Sequence, residues 1–309
     1  MTSSTPTPPA ASALTDRRVL VTGATGFLGA HLVRALAGGG ARVFAVARRR
    51  SPDVPDAIQA DFADPAAVRE VLATSTPDLV YHLAAHAWAP PRLDLVQPTF
   101  RSGPVTLVNL LVTLAESGRR IRVVVPGSQN QPLPGSGDTP ASPYAAAKAA
   151  EGLYCDLFER VFGLPFVQLR LFPAYGPGQH PDKLIPSVAL ALLRGDSPVI
   201  GNPDLALDWL YVDDAVEALV AAGTSDAEAA GPIDVGTGAA TELRVVAGML
   251  ADLVGGPGRP RFAATAERPL ERSQAADTDA AERLLGWRAR VSIREGLART
   301  VAGLREPKA

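Results

Sequence analysis

The sequence predicts an α/β fold: a doubly wound parallel sheet with a smaller, mostly helical C-terminal part. Three observations predict it. From Arg17 to about residue 172, short and nearly all-apolar runs alternate with apolar-periodic runs of helical length. Strands that are apolar on both faces belong to a parallel sheet covered on both sides. Each step from strand to strand passes through a helical run, and right-handed crossovers of that kind wind a sheet in two directions. Beyond residue 172 the rhythm loosens into helical runs joined by Gly- and Pro-rich loops such as "GNPDLALD" and "GGPGRPRF".

The elements follow in order. The Pro/Ser/Thr/Ala-rich start, residues 1–15, reads as a disordered tail; it lacks the basic and apolar regions of a signal peptide. "RRVLVTG" is a β-branched strand, and "GFLGAHLVRALAGGG" a helix stopped by glycines. "ARVFAVA" is the second strand. "DPAAVREVLATS" is a helix with Asp64 as N-cap and Pro65 in its first turn. "DLVYHLAA" and "IRVVVPG" are strands flanking the helix 104–117; a long helix from Ser142 and the strand "PFVQLRLF" complete the alternation. Later helices are expected near 183–194, 213–222, 242–254, 277–285 and 294–303. Residues 16–172 are thus expected to form the first, α/β domain, which the glycine loop and family resemblance below make a dinucleotide-binding domain. Residues 173–309 form a substrate-binding cap, with segments near 208–222 and 232–238 returning to the first domain. The cap is expected to close over the carboxyl ends of the strands.

Composition narrows the chemistry. A net charge of −2 provides no basic field for nucleic acid or an anionic membrane. No apolar run is long enough to span a bilayer. The single cysteine, Cys155, forms no internal disulfide and sits mid-helix as packing, which fits a reducing cytoplasm. No metal-ligand set is apparent. The only lysines are Lys148, Lys183 and Lys308, in a chain that otherwise uses arginine for positive charge.

"VLVTGATGFLGAHLV" places Gly23, Gly26 and Gly29 between the first strand and the first helix. The first allows a tight turn, the second lets backbone approach a pyrophosphate, and the third lets helix pack on strand. The spacing G-x-x-G-x-x-G, with "DLVYHLAA", "SPYAAAK", "LRLFPAYGPGQ", "YVDDAVEAL", "DVGTG" and "LLGW" in that order, resembles the extended short-chain dehydrogenase/reductase family. The resemblance runs from Arg17 onward and looks nearest to nucleotide-deoxysugar 4-ketoreductases. It implies a dinucleotide held by the loop, including Thr25, Phe27 and Leu28. It implies adenine-side contacts from Asp61 and Phe62, and contacts from Leu83, Ala84 and Ala85 beside the central ribose. Leu171 and Pro173 follow as cofactor contacts after the fifth strand.

Where an NAD-binding fold places Asp or Glu after the second strand, this chain has Ala47 followed by Arg48, Arg49 and Arg50. Removing the carboxylate and adding guanidinium forks suits a 2′-phosphate. Arg48 and Arg49 are the nearer pair, so NADP(H) is favoured over NAD(H). A net reductase exchanges its cofactor at each turnover, whereas epimerases of this family retain theirs, so the arginines favour reduction.

Tyr144 and Lys148 are four apart on a helix and share a face. In the family's chemistry Tyr144 gives its proton to a carbonyl oxygen as hydride arrives, and the Lys148 ammonium favours the phenolate left behind. Ser128, after the fourth strand, matches the hydroxyl that holds the substrate oxygen. The stretch from Pro126 to Gly137 contains no Asp or Glu. That argues against a dehydratase, which places an acid just after the serine or threonine. On the substrate side Phe172-Pro173, Leu207 and Gly103 stand where the family has Asn, Arg and Asn, while Arg268 matches its diphosphate-binding arginine. His86 and Trp88 lie in a cleft-side loop as substrate contacts, and His82 is expected in the core. The reading is an NADPH-dependent reductase of a keto group on a nucleotide-activated deoxysugar. An epimerase with retained cofactor, a reductase of a non-sugar ketone, and a dinucleotide-binding scaffold without activity follow in that order. Helices 104–117 and 144–162 carry apolar residues on more than one face, Leu153, Leu157 and Val161 among them, and a homodimer is expected.

Overall fold

The structure, a computed structural model, describes residues 9–87, 89–226, 231–263 and 272–305. The chain forms two compact units. The first comprises Met1–Leu171, Val216–Asp234 and Ala280–Trp287, and the second Phe172–Ala215, Val235–Asp279 and Arg288–Ala309.

The chain alternates as its apolar pattern requires. β1 (Arg18–Thr22), α1 (Phe27–Gly38), β2 (Arg42–Ala47), β3 (Ile58–Gln59), α2 (Pro65–Ser75) and β4 (Leu79–His82) come first. α3 (Val96–Phe100), α4 (Thr106–Glu116), β5 (Arg122–Ser128), α5 (Pro143–Phe162) and β6 (Phe166–Leu171) follow. Later come β7 (Ala174–Tyr175), α6 (Leu184–Leu193), β8 (Val199–Gly201), β9 (Ala206–Asp208), β10 (Leu210–Tyr211) and α7 (Val212–Thr224). Last are β11 (Ile233–Val235), β12 (Ala240–Glu242), α8 (Leu243–Val254), β13 (Arg261–Ala263), α9 (Asp279–Leu285) and α10 (Ile293–Arg305).

One seven-stranded sheet runs in the order β11-β6-β5-β4-β1-β2-β3. All pairings among β1 to β6 are parallel. The winding reverses at β1, which lies between β2 and β4, the switch point of a doubly wound sheet. Leu107, Leu110, Leu111 and Leu114 repeat at helical spacing along α4 and pack with Leu20, Val80, Val123 and Val125 of the strands. Burying each such leucine contributes about 1.5–3 kcal/mol. Asp64 caps α2 by accepting the Ala66 N–H at 2.9 Å, and Ser142 caps α5 by accepting the Ala145 N–H at 3.1 Å, as their sequence positions predict. Arg170 of β6 forks onto both oxygens of Asp234 in β11, each at 2.5 Å.

Three local features differ from the sequence reading. The tail expected over residues 1–15 is ordered in part: Pro9–Leu14 form a 3-10 turn with Ala11 and Leu14 buried, two apolar residues three apart on one side. Gly39 lets that turn sit close, because a Cβ there would meet the Ala11 carbonyl at 2.6 Å. The third helix starts well before residue 104. α3 leads into a π-helical turn over Arg101–Val105 that carries Pro104 into α4. Proline lacks the N–H of an α-helical bond and crowds the preceding turn; the wider π turn absorbs this. Thr106 Oγ1 then donates toward the Ser102 and Gly103 carbonyls, at 2.9 Å each. β3, two residues long, was too short to leave a period-two signal.

The second unit is mostly helical, with α6, α8 and α10 packed together and three two-stranded pairings. Its polar centre is Asp208, which is fully buried. The carboxylate accepts the N–H groups of Thr237, Gly238 and Ala276 at 2.8, 2.8 and 3.1 Å and the Thr237 hydroxyl at 2.6 Å. Leu207 lies half-buried in the β9–β12 pairing, opposite Thr241.

Candidate active site

Everything described here belongs to the first unit. At the end of β1, Gly23 has φ +66°, and a Cβ on it would come within 2.7 Å of the Leu83 carbonyl carbon. Only glycine fits this turn, which presses the loop onto the backbone after β4. Gly29 meets the Gly23 and Ala24 backbone in the same way, so α1 lies close on β1. Gly26 is the N-cap of α1, with no side-chain hydrogen bond closing the helix end. The first N–H groups of Phe27 and Leu28 therefore remain open to an anion. Leu83 N–H donates to Thr22 O at 3.2 Å and Ala84 N–H to Thr22 Oγ1 at 3.2 Å, which fixes the "LAA" segment beside the loop.

Beyond β2 the chain turns out with Arg48, Arg49 and Arg50 all exposed. Arg48 lines a cavity of about 360 Å³ together with His86, Gln97, Pro98, Arg101 and Ser102. No carboxylate is among these lining residues. His86 Nδ1 is buried with no hydrogen-bond partner among the described residues. Asp61 stands nearby, its Oδ2 3.3 Å from Arg101 Nη2. Arg49 is exposed but does not line the cavity. The Phe62 ring is 3% exposed and belongs to the core, which leaves its backbone for the expected adenine-side contact. Trp88, Arg268 and Glu271 lie outside the described residues.

The arrangement fits the dinucleotide that the sequence resemblance implies. An open helix end and a glycine turn suit a pyrophosphate, and guanidinium forks with an unpartnered imidazole nitrogen suit a further phosphate.

β5 and α5 position the catalytic candidates. Ser128 ends β5 and is buried; its Oγ accepts the Asn130 N–H at 3.2 Å, which leaves its own proton to donate. Gln131 Oε1 accepts the Ser128 N–H at 2.9 Å, so the unusual "SQNQ" turn is braced by its own amide. Tyr144 is the second residue of α5 and half-buried, and Lys148 lies one turn on. Lys148 is buried; Nζ donates to Pro126 O at 2.9 Å and to Glu151 Oε2 at 2.8 Å. Burial works against its charge, but the Glu151 carboxylate, with Tyr144 behind it, holds Lys148 above the ordinary lysine range. Helix geometry thus carries Tyr144 and Lys148 toward the end of the strand that bears Ser128.

His82 is a core residue, as expected. It is 1% exposed, with Nδ1 3.0 Å from Thr22 Oγ1 and Nε2 3.4 Å from Thr106 Oγ1. Burial, helped by the nearby Lys148 charge, lowers its pKa to about 3.

The model of the NAD dependent epimerase/dehydratase family matches residues 19–236. The chain belongs to that family. It is therefore an enzyme of a family that works on nucleotide sugars. It is 34% identical to the UDP-glucose 4-epimerase of Mycolicibacterium smegmatis over 92% of this chain and 97% of that one. It is 32% identical to a probable dTDP-glucose 4,6-dehydratase of Sinorhizobium fredii, over 65% of this chain and 66% of that one. Among solved structures it resembles the UDP-glucose 4-epimerase of Thermotoga maritima, with a TM-score of 0.83 and 25% identity over 93% of this chain and 98% of that one. It also resembles MoeE5, solved in complex with UDP-glucuronic acid and NAD, with a TM-score of 0.81 and 31% identity over 93% of this chain and 98% of that one.

Sequence reasoning passed over two residues of this family member's site. Arg101 joins Arg48 at the cavity from a helix more than fifty residues away, and nothing in its local sequence marks it. Glu151 grips Lys148, and its one signal was an acidic residue on the same helical face, three positions on.

Proposed function

We propose that this family member catalyses NADPH-dependent reduction of a keto group on a nucleotide-linked deoxysugar. The observation that carries the reading is the cavity after β2, which is lined by Arg48, directly after the position where an NAD enzyme places a carboxylate, and by Arg101, itself paired with Asp61. NADPH is the dinucleotide that cells keep for reduction, and when bound it supplies the hydride. The chain's own part is proton delivery and positioning. Tyr144 donates its phenol proton to the carbonyl oxygen of the substrate, and the Lys148 ammonium stabilises the phenolate that remains. Ser128 keeps its proton and donates a hydrogen bond to the same oxygen, which fixes its place. The absence of Asp and Glu from Pro126 to Gly137 supports reduction over dehydration, since loss of water from the sugar needs an added acid or base.

A second reading, a nucleotide-sugar 4-epimerase with a retained cofactor, is favoured by the likeness to the Mycolicibacterium smegmatis enzyme along nearly the whole chain. The two readings part on one observation. Protein purified and then denatured should release little dinucleotide, or NADP, if it is a reductase; stoichiometric NAD supports the epimerase instead.

A homodimer formed by the α4 and α5 faces belongs to the same proposal, supported by Leu153 and Val161 at 63% and 65% exposure on α5. So does a cytoplasmic location, which the unpaired, buried Cys155 thiol fits.

A further inference from the structure

Glu151 is an unusual group to find in this place. It is buried, and so is Lys148, one turn before it on α5. One carboxylate oxygen takes the Lys148 ammonium. The other, Oε1, has no hydrogen-bond partner among the described residues. A buried, unpartnered carboxylate oxygen carries a desolvation cost that a purely structural residue has no reason to retain.

Gly103 shows how the position is made. Its φ is not positive, so the backbone there does not call for glycine. A Cβ at 103 would collide with Glu151 Oε1. The missing side chain is the space that the carboxylate occupies. Lys148 is thereby held by two acceptors, Pro126 O and Glu151 Oε2, and one of its three N–H bonds is left for a ligand.

We propose that Glu151, seated in the space left at Gly103, is the positioning residue of this active site: it keeps the Lys148 ammonium charged and aims its free N–H at the bound dinucleotide. The proposal rests on the reading of Tyr144 and Lys148 as the hydride-transfer pair. A lysine buried without a counter-charge loses its proton. Here the neighbourhood does not supply that counter-charge twice. On α5, Tyr144, Glu151 and Cys155 bear on Lys148, Asp156 and Glu159 bear on Cys155 further along the helix, and His82 faces Lys148 from β4. β5 brings the Pro126 carbonyl, and the π turn brings the Gly103 backbone, its Arg101 being engaged with Asp61. Burial raises the pKa of Glu151 itself, and the ammonium opposes that rise.

The test uses the full chain labelled with 15N-lysine. Only three lysines give signals, and Lys148→Arg assigns the one that matters. In the unsubstituted protein the Lys148 ammonium should persist above the ordinary lysine value. Glu151→Gln should lower its titration by about 1–3 pH units, the range an opposite charge at this distance commands. Gly103→Ala should do the same by evicting the carboxylate, and the two substitutions together should do no more than either alone. The alkaline limb of the kcat profile should move by the same amount. A Lys148 that titrates below the ordinary value in the unsubstituted protein overturns the proposal, even if no variant folds. So does an unchanged titration in a folded Glu151→Gln. Normal turnover in Tyr144→Phe would instead remove the reading on which the proposal rests.

Discussion

His82 offers a stability test whose size comes directly from the structure. The imidazole is fully enclosed, between the Thr22 and Thr106 hydroxyls, and its pKa is lowered to about 3 by burial and by Lys148. In the unfolded chain it returns to about 6.5. The native state therefore binds fewer protons than the unfolded state throughout that window. Stability from this group is fully present above about pH 6.5 and is lost as pH falls toward 3. A tenfold change in proton affinity is worth about 1.4 kcal/mol, so moving from pH 7 to pH 5 should remove about 2 kcal/mol on account of His82 alone. Carboxylates contribute their own pH dependence, so the difference between two proteins is the useful quantity. His82→Asn keeps a partner for Thr22 and cannot be protonated. Urea unfolding followed by circular dichroism at both pH values should show the parent losing about 2 kcal/mol more than the variant. Equal losses would refute the reasoning. If the variant does not fold, the imidazole titration in the parent decides: a His82 pKa above 5 contradicts the burial argument.

Other outcomes are expected at the site. Arg48→Ala with Arg49→Ala should weaken NADPH far more than NADH, by about 1.5–3 kcal/mol for each lost charge-assisted contact, measured as separate dissociation constants. Arg48 should account for most of this, because Arg49 does not line the cavity. Tyr144→Phe should lower kcat by ~10²–10⁴ with dinucleotide binding kept, and Lys148→Arg should also fail, because the fork is bulkier than the ammonium that Pro126 O and Glu151 hold. Leu153→Glu with Val161→Glu on the exposed face of α5 should shift a dimer to monomer in light scattering at micromolar concentration; a parent that is already monomeric contradicts the dimer. Arg268→Ala should raise KM for a nucleotide sugar ~10-fold, about 1.4 kcal/mol, with NADPH binding unchanged. Calorimetric titration of a nucleoside diphosphate that shows equal affinities for parent and variant would dismiss that role.

Local chemistry decided how much could be read in advance. The Gly23–Gly29 loop was legible because each glycine answers a separate steric demand at a fixed spacing, and the structure shows two of those demands as close backbone approaches. Asp64 and Ser142 announced their helices because capping is a contact between neighbours in sequence. Tyr144 and Lys148 were legible through helical spacing. The start of the third helix was not, since Pro98 and Pro104 look like breakers until the π turn absorbs the second. Phe62 was an expected cofactor contact by resemblance alone, and that resemblance gave no sign that its ring packs in the core beside the half-buried Asp61. Arg101 and the pairing of Gly103 with Glu151 depend on contacts between residues about forty to fifty positions apart, which no local pattern encodes.

The central claim, reduction by NADPH at the Tyr144 site, is tested most directly by following the hydride. The full-length protein would be incubated with NADPH deuterated at the nicotinamide C4 position and a nucleotide-linked 4-keto-6-deoxysugar, and the product mass measured. The account predicts one deuterium in the sugar for each NADPH consumed, with no transfer in Tyr144→Phe. Interconversion of two sugar epimers with no NADPH consumed and no deuterium incorporated would contradict it.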